Sequence, residues 1–304
     1  MCFAPKCIKS RRLFSLIIGI MVTVVLSGCS NFGKLSEGGA EIAQVPITDN
    51  PSGETFPGRF IWHDLLTSDL ISAGKFYEKL FDWKIEYHEN YALARNGGKL
   101  IAGIIKVVPS KGKIEGVWMP SVSVVDVDSA AKLVAANGGT VLNGPLDMKR
   151  RGRAALVRDF QGADIVLLKA KGGDPSTLEP AIGDWLWDEI WTQNPEKTEE
   201  FYASLLGYEE VLPIKNDYGI FMREGEWMAG VRHVTTDAKD LLWVPVVRVE
   251  DPEAICRHVE ELGGVVWITP DEAPNTGNTS LISDPTGALL LIQRWSSQSL
   301  EGSN

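Results

Sequence analysis

Trp62-His63-Asp64-Leu65 returns as Trp187-Asp188-Glu189-Ile190, and the interval between them, 125 residues, recurs along the chain. Phe76-Tyr77 answers to Phe201-Tyr202, Trp118 to Trp243, Gly138-Gly139 to Gly263-Gly264, Pro145 to Pro270, Asp159 to Asp284 and Gly162 to Gly287, all at that spacing. Only the middle slips, where Ala102-Gly103 answers to Ala229-Gly230 at 127. One interval shared by so many residue types marks a duplication, so the chain must fold as two copies of one domain. Gly172-Gly173, Pro175 and Pro180 punctuate the stretch between the copies. The copies are placed at 58–170 and 184–296, with a linker at 171–183 and a short tail at 297–304.

Within each copy the hydrophobic period changes in a set order. Phe60 to Thr67 reads as a strand, and Asp69 then opens a helix whose apolar stripe is Ala73, Phe76, Tyr77, Leu80 and Phe81. The second copy repeats this with Thr198, Phe201, Tyr202, Leu205 and Leu206, opened by Asn194-Pro195 as N-cap and first-turn proline. Short strands are expected at Trp83–His88, Tyr91–Arg95, Leu100–Val108 and Met119–Val125, then a helix near Ser129–Asn137 and strands ending at Ile165–Leu168. Each copy thus reads as strand-helix-strand-strand-strand performed twice, an α+β class.

The N-terminus has a different character. Lys6, Lys9, Arg11 and Arg12 precede the apolar run Leu13 to Leu26, which ends at Leu26-Ser27-Gly28-Cys29. A basic segment, an apolar segment too short to span a bilayer and small residues before a cut describe a secretory signal over 1–28. Its end resembles the lipobox of bacterial lipoproteins, which implies lipidation of Cys29 and anchoring in the cell envelope. Ser30 after the cysteine implies, by the same resemblance, the outer membrane facing the periplasm. Residues 29–57, rich in Ser, Gly and Pro, read as a flexible tether. Loss of 1–28, which holds four basic and no acidic residues, takes the formal charge from −10 to −14. So acidic a chain lacks the cationic surface that nucleic acid requires. Cys256 is the one cysteine left without a task, and its helical setting marks it as a small buried residue, not a nucleophile.

The repeated residues carry a resemblance. Trp-x-[Asp/Glu]-[Leu/Ile]-x-Thr-x-[Asp/Asn], then Phe-Tyr, then Leu-Phe-Asp or Leu-Leu-Gly, Gly-Gly before a strand and Asp-x-x-Gly before the last strand resemble the vicinal oxygen chelate superfamily of glyoxalase I, extradiol dioxygenases and bleomycin-resistance proteins. The resemblance implies tandem glyoxalase-like domains, each of two βαβββ modules forming a half-open barrel. It also implies where a divalent metal would be held: first-strand ligands at Trp62 and Trp187, later ones near Met119 and Val244, last-strand glutamates at Val166 and Leu291. A further acidic ligand would fall within Leu100–Val108 or Trp227–Val234, and neither segment contains Asp or Glu. Indole and alkyl groups cannot replace these ligands, so no metal and no cofactor is expected at the usual site.

A strand alternates faces, so Trp62 and Asp64 share one face, as do Trp187 and Glu189. With Trp118 and Trp243 pointing inward too, each half-barrel would have an aromatic wall bearing one carboxylate, suited to a flat or cationic small organic molecule. A closed cavity whose carboxylates pair with a structural arginine stays open as the alternative. His63 and Asp188 fall out of phase with the cavity. The basic run Lys149-Arg150-Arg151-Gly152-Arg153 reads as a solvated loop, and Asp164 either complements Asp64 or sits at an exposed strand entry. The reading favours a binding protein. Two alternatives stand beside it: a metal-dependent lyase, isomerase or dioxygenase using His63, Asp64, Asp188 and Glu189, and a non-catalytic envelope-interaction module. The copies would pair within the chain or across a homodimer.

Overall fold

A computed structural model describes residues 45–108, 115–176, 179–214, 217–235, 241–273 and 277–295. The signal segment, Cys29 and the tail at 297–304 lie outside the described residues.

The first copy runs β1 (Phe60–Thr67), α1 (Leu70–Phe81), β2 (Lys84–Tyr87), β3 (Tyr91–Asn96), β4 (Lys99–Lys106), then β5 (Val117–Ser123), α2 (Val127–Ala136), β6 (Thr140–Met148), β7 (Gly152–Arg158) and β8 (Asp164–Ala170). The second repeats it with β9 (Trp185–Thr192), α3 (Pro195–Leu206), β10 (Glu210–Ile214), β11 (Tyr218–Arg223), β12 (Glu226–His233), β13 (Trp243–Val249), α4 (Pro252–Val259), β14 (Val265–Ile268), β15 (Thr279–Ser283) and β16 (Leu289–Arg294). Each copy is therefore βαβββ twice, as the periodicity requires. The helices start where an Asx side chain accepts from the first turn: Asp69 from Ser72, Asp126 from Ser129, Asn194 from Lys197 and Asp251 from Glu253.

Each copy builds one eight-stranded sheet, in the order β2-β3-β4-β1-β5-β8-β7-β6 and its counterpart β10-β11-β12-β9-β13-β16-β15-β14. β1 and β5 lie antiparallel at the centre, with β4 parallel to β1 and β8 parallel to β5. Among the described residues the helices cover one face of each sheet, and none lies on the other.

The two helix faces pack on each other across the copies. Leu65, Phe76, Tyr77, Trp83, Ile104 and Trp118 of the first copy share a core with Val247, Val259, Ile282, Leu290 and Ile292 of the second. Reciprocally, Val122, Val134, Val157 and Leu167 share one with Phe201, Tyr202, Phe221 and Trp243. Neither copy closes its core alone, which is why the helices can be short: their apolar stripes have two sheets to bury against.

The repeated motifs are the residues of this interface. Trp118 Nε1 donates to the Tyr77 hydroxyl at 3.0 Å, and that hydroxyl donates to Asp284 Oδ2 of the other copy at 3.2 Å. Trp243 Nε1 donates to Tyr202 at 2.9 Å, which donates to Asp159 Oδ2 at 3.0 Å. Phe60 lies 4.7 Å from Trp243, and Trp185 lies 4.9 Å from Trp118, each ring crossing into the other copy. Burial pushes both Asp159 and Asp284 carboxyls upward, while their backbone and side-chain donors pull against it.

The tether expectation needs correction over its last part. Ile47 is buried with Val45 in the cluster around Trp62, Pro51 bridges Pro175, and the Phe56 amide donates to Asp174 Oδ2 at 2.6 Å. Asp174 is fully buried and also accepts from Ser123. The apolar Val45-x-Ile47 pair and the need to satisfy a buried linker carboxylate hold this stretch against the body.

Candidate functional site

β1 and β9 set the chemistry of the helix-free faces. The register pairs Asp64 with Met119 and Leu65 with Trp118, and β5 pairs Ser121 with Val166. Trp62, Asp64, Met119 and Val166 therefore share the helix-free face, while His63 and Leu65 face the other copy. The second sheet repeats this with Trp187, Glu189, Val244 and Leu291. Trp118 and Trp243 do not join them. They stand one residue out of phase with the expected cavity wall, so their indoles enter the shared cores and bond to tyrosines.

The carboxylate in the first copy is engaged on both oxygens. Trp62 Nε1 donates to Asp64 Oδ1 at 2.9 Å, and Arg151 Nη1 donates to Oδ2 at 2.5 Å. The Arg151 guanidinium also lies over the Trp62 ring, 5.3 Å from its centre. The protein thus supplies its own cation where a cationic ligand was expected, and both the ring and the carboxylate are taken. The solvated-loop expectation fails for this residue alone. Arg151 is 4% exposed, whereas Lys149 and Arg150 are exposed and Arg153 pairs with Asp128 and Asp147 at the surface.

The turn explains the inward aim. Lys149 adopts a left-handed φ of 38°, and Gly152 takes a φ of 126° where a Cβ would stand 2.1 Å from the Lys169 carbonyl oxygen. The Arg151 amide donates to Met148 and its carbonyl accepts from Lys171. Gly152 is the signal that reveals Arg151 in the sequence: a basic run cut by a glycine that only a tight, inward turn requires.

The second copy reaches neutrality by another route. Arg232 Nε and Nη2 donate to the two oxygens of Glu189 at 2.9 and 3.1 Å, and the guanidinium lies 4.7 Å from the centre of the Tyr218 ring. Gly230 makes room, since a Cβ there would meet Tyr218 Oη at 2.3 Å and Glu189 Cγ at 2.8 Å. Arg232 has a sequence signal too, as a charged residue two positions after Gly230 that directly follows the apolar run 227–231. Around it the helix-free face is filled by Trp191, Val244, Val246, Leu281, Leu289 and Leu291.

His63 and Asp188 occupy equivalent positions of the repeat and meet each other between the copies. His63 Nε2 lies 2.9 and 3.1 Å from the Asp188 oxygens, both groups are buried, and the imidazole stacks on Trp185 at 4.2 Å. Burial pushes the Asp188 carboxyl upward and His63 pulls it partway back. Asp164 is held by Arg158 through two bonds at 2.6 and 2.9 Å and does not complement Asp64. Cys256, half-buried on α4 with Sγ 3.1 Å from Ser280 Oγ, has its thiol pushed up by burial, unlike an activated nucleophile.

These positions test whether a divalent metal fits. The faces where the resemblance puts ligands carry Trp62, Met119 and Val166 in one copy and Trp187, Val244 and Leu291 in the other. The alternative donor set also fails to converge: His63 and Asp188 bind each other, while Asp64 and Glu189 point into separate faces. Among the described residues no three His, Cys, Asp or Glu side chains come together as a metal site. These residues do not fit the metal.

A cleft of about 240 Å³ opens between the copies at the start of β1 and β9, walled by Phe60, Trp62, His63, Trp185, Trp187 and Trp227. Trp62 thus borders both this cleft and the Asp64–Arg151 pair.

Comparison with known proteins bears on this architecture. Residues 59–167 match the Glyoxalase/Bleomycin resistance protein/Dioxygenase superfamily. The chain is 27% identical over 245 residues to "Putative glyoxylase CFP32" of Mycobacterium bovis, covering 76% of this chain and 92% of that protein. Its fold is similar to the Mn(II)-bound glyoxalase from Novosphingobium aromaticivorans, at a TM-score of 0.57 and 13% identity over 79% of this chain and 83% of the other. It is also similar to a variant of homoprotocatechuate 2,3-dioxygenase from Brevibacterium fuscum, at 0.58 and 14% over 83% and 75%.

Proposed function

The chain belongs to the Glyoxalase/Bleomycin resistance protein/Dioxygenase superfamily, and on that premise we propose that it is a binding protein that takes a small organic molecule on the helix-free face of its first copy, without a divalent metal at the usual site. One observation carries this reading. The Asp64 carboxylate there is already bonded by Trp62 and Arg151, so a guanidinium supplies the neutralising charge that a metal would otherwise bring. The apolar cluster beside it, buried Leu66, Ile105, Val107 and Met119 with the half-buried Tyr91, Leu156 and Val166, favours a ligand with an apolar body.

Metal analysis of the full chain after equilibration with Mn, Fe, Ni and Zn tests the proposal. Less than a tenth of an equivalent is expected after desalting. Stoichiometric metal that disappears in Asp64→Ala overturns it.

The signal-like segment, Leu26-Ser27-Gly28-Cys29 and the tether support a second part of the proposal, that the protein is exported and anchored by lipid at Cys29 in the bacterial envelope. Radiolabelled palmitate should enter the wild-type chain and not Cys29→Ala. Equal labelling of both would end that assignment.

A further inference from the structure

The two copies hold their carboxylates with different edges of an arginine, and that difference identifies a ligand group. A guanidinium offers its best bidentate grip along the side formed by Nε–H and Nη2–H, two parallel donors matched to the two oxygens of a carboxylate. In the second copy this edge is used internally: Arg232 Nε and Nη2 hold both oxygens of Glu189. In the first copy Asp64 takes Nη1 instead. Arg151 Nε and Nη2 are buried and have no hydrogen-bond partner among the described residues.

This edge belongs to a side chain only 5% exposed, so bulk water does not satisfy it freely. Leaving two donors of a buried guanidinium unpaired costs more than leaving neutral ones unpaired. The guanidinium is also not free to turn away. Asp64 fixes one end, the Trp62 ring carries its face, and the Lys149–Gly152 turn fixes its backbone. A preorganised donor pair in a nearly dry setting is how proteins prepare for an acceptor with two oxygens.

We propose that Arg151 binds the carboxylate of a small monocarboxylic acid through Nε and Nη2, with the apolar part of the acid lying toward Met119, Leu156 and Val166. Val166 and Tyr91 pack with both the Trp62 group and the Met119 group, so the two surfaces are continuous. The proposal rests on the ligand-binding reading above and names the ligand class. Asp64 does not repel the acid decisively, because its charge is already held by Nη1 and the Trp62 indole on the other side of the guanidinium.

The test titrates the full chain with acetate, hexanoate and phenylacetate, and with acetamide, hexanamide and phenylacetamide, following tryptophan fluorescence and thermal stability. At least one acid is expected to bind tenfold or more tightly than its amide. Arg151→Lys, which keeps the charge and loses the paired donors, should remove that preference, while Arg150→Ala should keep it. If acids and amides bind equally, or Arg151→Lys leaves the acid preference intact, the carboxylate proposal is overturned and the binding reading stands. If no acid binds but amides do, the same holds. If neither series binds and a broader panel of neutral metabolites also fails, both readings fall together.

Discussion

The two copies have the same order of strands and helices and an Asx cap on each of their two helices, yet they neutralise the carboxylate on β1 and β9 in different ways. In the first copy the arginine arrives from the turn between β6 and β7, and in the second from the middle of β12. The position answering to Arg232 in the first copy is Ile105, by the 127-residue offset of that strand. Neither arginine can therefore be an inherited partner of the other. What the copies share is the requirement that a carboxylate on a desolvated face have a cation beside it. What differs is the length of the acid. Glu189 reaches far enough to take the paired donors of Arg232, while Asp64, one methylene shorter, takes a single nitrogen of Arg151 and adds the Trp62 indole. The counterpart of that indole, Trp187 Nε1, has no partner among the described residues. The Glu189–Arg232 pair uses the paired donors of its arginine, and the Asp64–Arg151 pair leaves them unused.

The largest expected effect sharpens this contrast. Arg232→Met leaves Glu189 buried without its cation and should destabilise the chain by about 3–5 kcal/mol. Arg151→Met also takes the cation from Asp64, but it removes two unpaired donors and leaves Asp64 its bond from Trp62, so its cost should be smaller, about 1–3 kcal/mol. Urea midpoints of the two variants decide the matter; equal losses would break the distinction between a bidentate pair and one that leaves donors unused.

A smaller effect concerns what the copies share. Tyr77→Phe and Tyr202→Phe each remove the hydroxyl that links a tryptophan of one copy to an aspartate of the other, and each should cost about 1–3 kcal/mol. Values within about 0.5 kcal/mol of each other are expected, since the sites are far apart and built alike. A clear inequality in thermal or urea unfolding would show that the reciprocal interface is not energetically symmetric.

The smallest effect is in the pH dependence, at the point where the copies meet like residue on like. The repeat puts positions 63 and 188 against each other, so an exact duplicate would press two histidines or two aspartates together. Having His63 on one side and Asp188 on the other replaces repulsion with a bond, which two identical copies related by a two-fold axis could not do. Because burial raises the Asp188 carboxyl, the folded chain holds its proton more tightly than the unfolded chain does. That contribution is complete below about pH 4 and is lost as pH rises through the folded value. Asp188→Asn should therefore make stability fall less steeply as pH rises above about 4, by urea titrations in steps of pH. An unchanged slope would show that Asp188 does not contribute to the dependence.

Much of this could be read before any coordinates. The 125-residue interval, the Asx caps at 69 and 194 and the change of hydrophobic period gave the duplication, the α+β class and the βαβββ order, because those depend on local periodicity. The alternation of β1 put Trp62 and Asp64 on one face and His63 on the other. Trp118 and Trp243 escape the same rule, since the register between β1 and β5 is set by pairing in space and a shift of one residue reverses every side chain. Arg151 was hidden for a related reason. A run of exposed basic residues looks uniform in sequence, and only the left-handed Lys149 and the constrained Gly152 turn one of them inward.

By itself, then, the sequence determined two copies and the order of their elements, while the family resemblance implied that Trp62, Met119 and Val166 and their counterparts stand where ligands would be. The copies and elements follow from spacing and residue type, which are properties of the chain alone. Only the tertiary structure decided that the copies share their cores, that His63 meets Asp188, and which nitrogens of Arg151 and Arg232 are occupied. These depend on distances between segments far apart in sequence, where a difference of one methylene or one step of register settles whether a buried donor finds its acceptor.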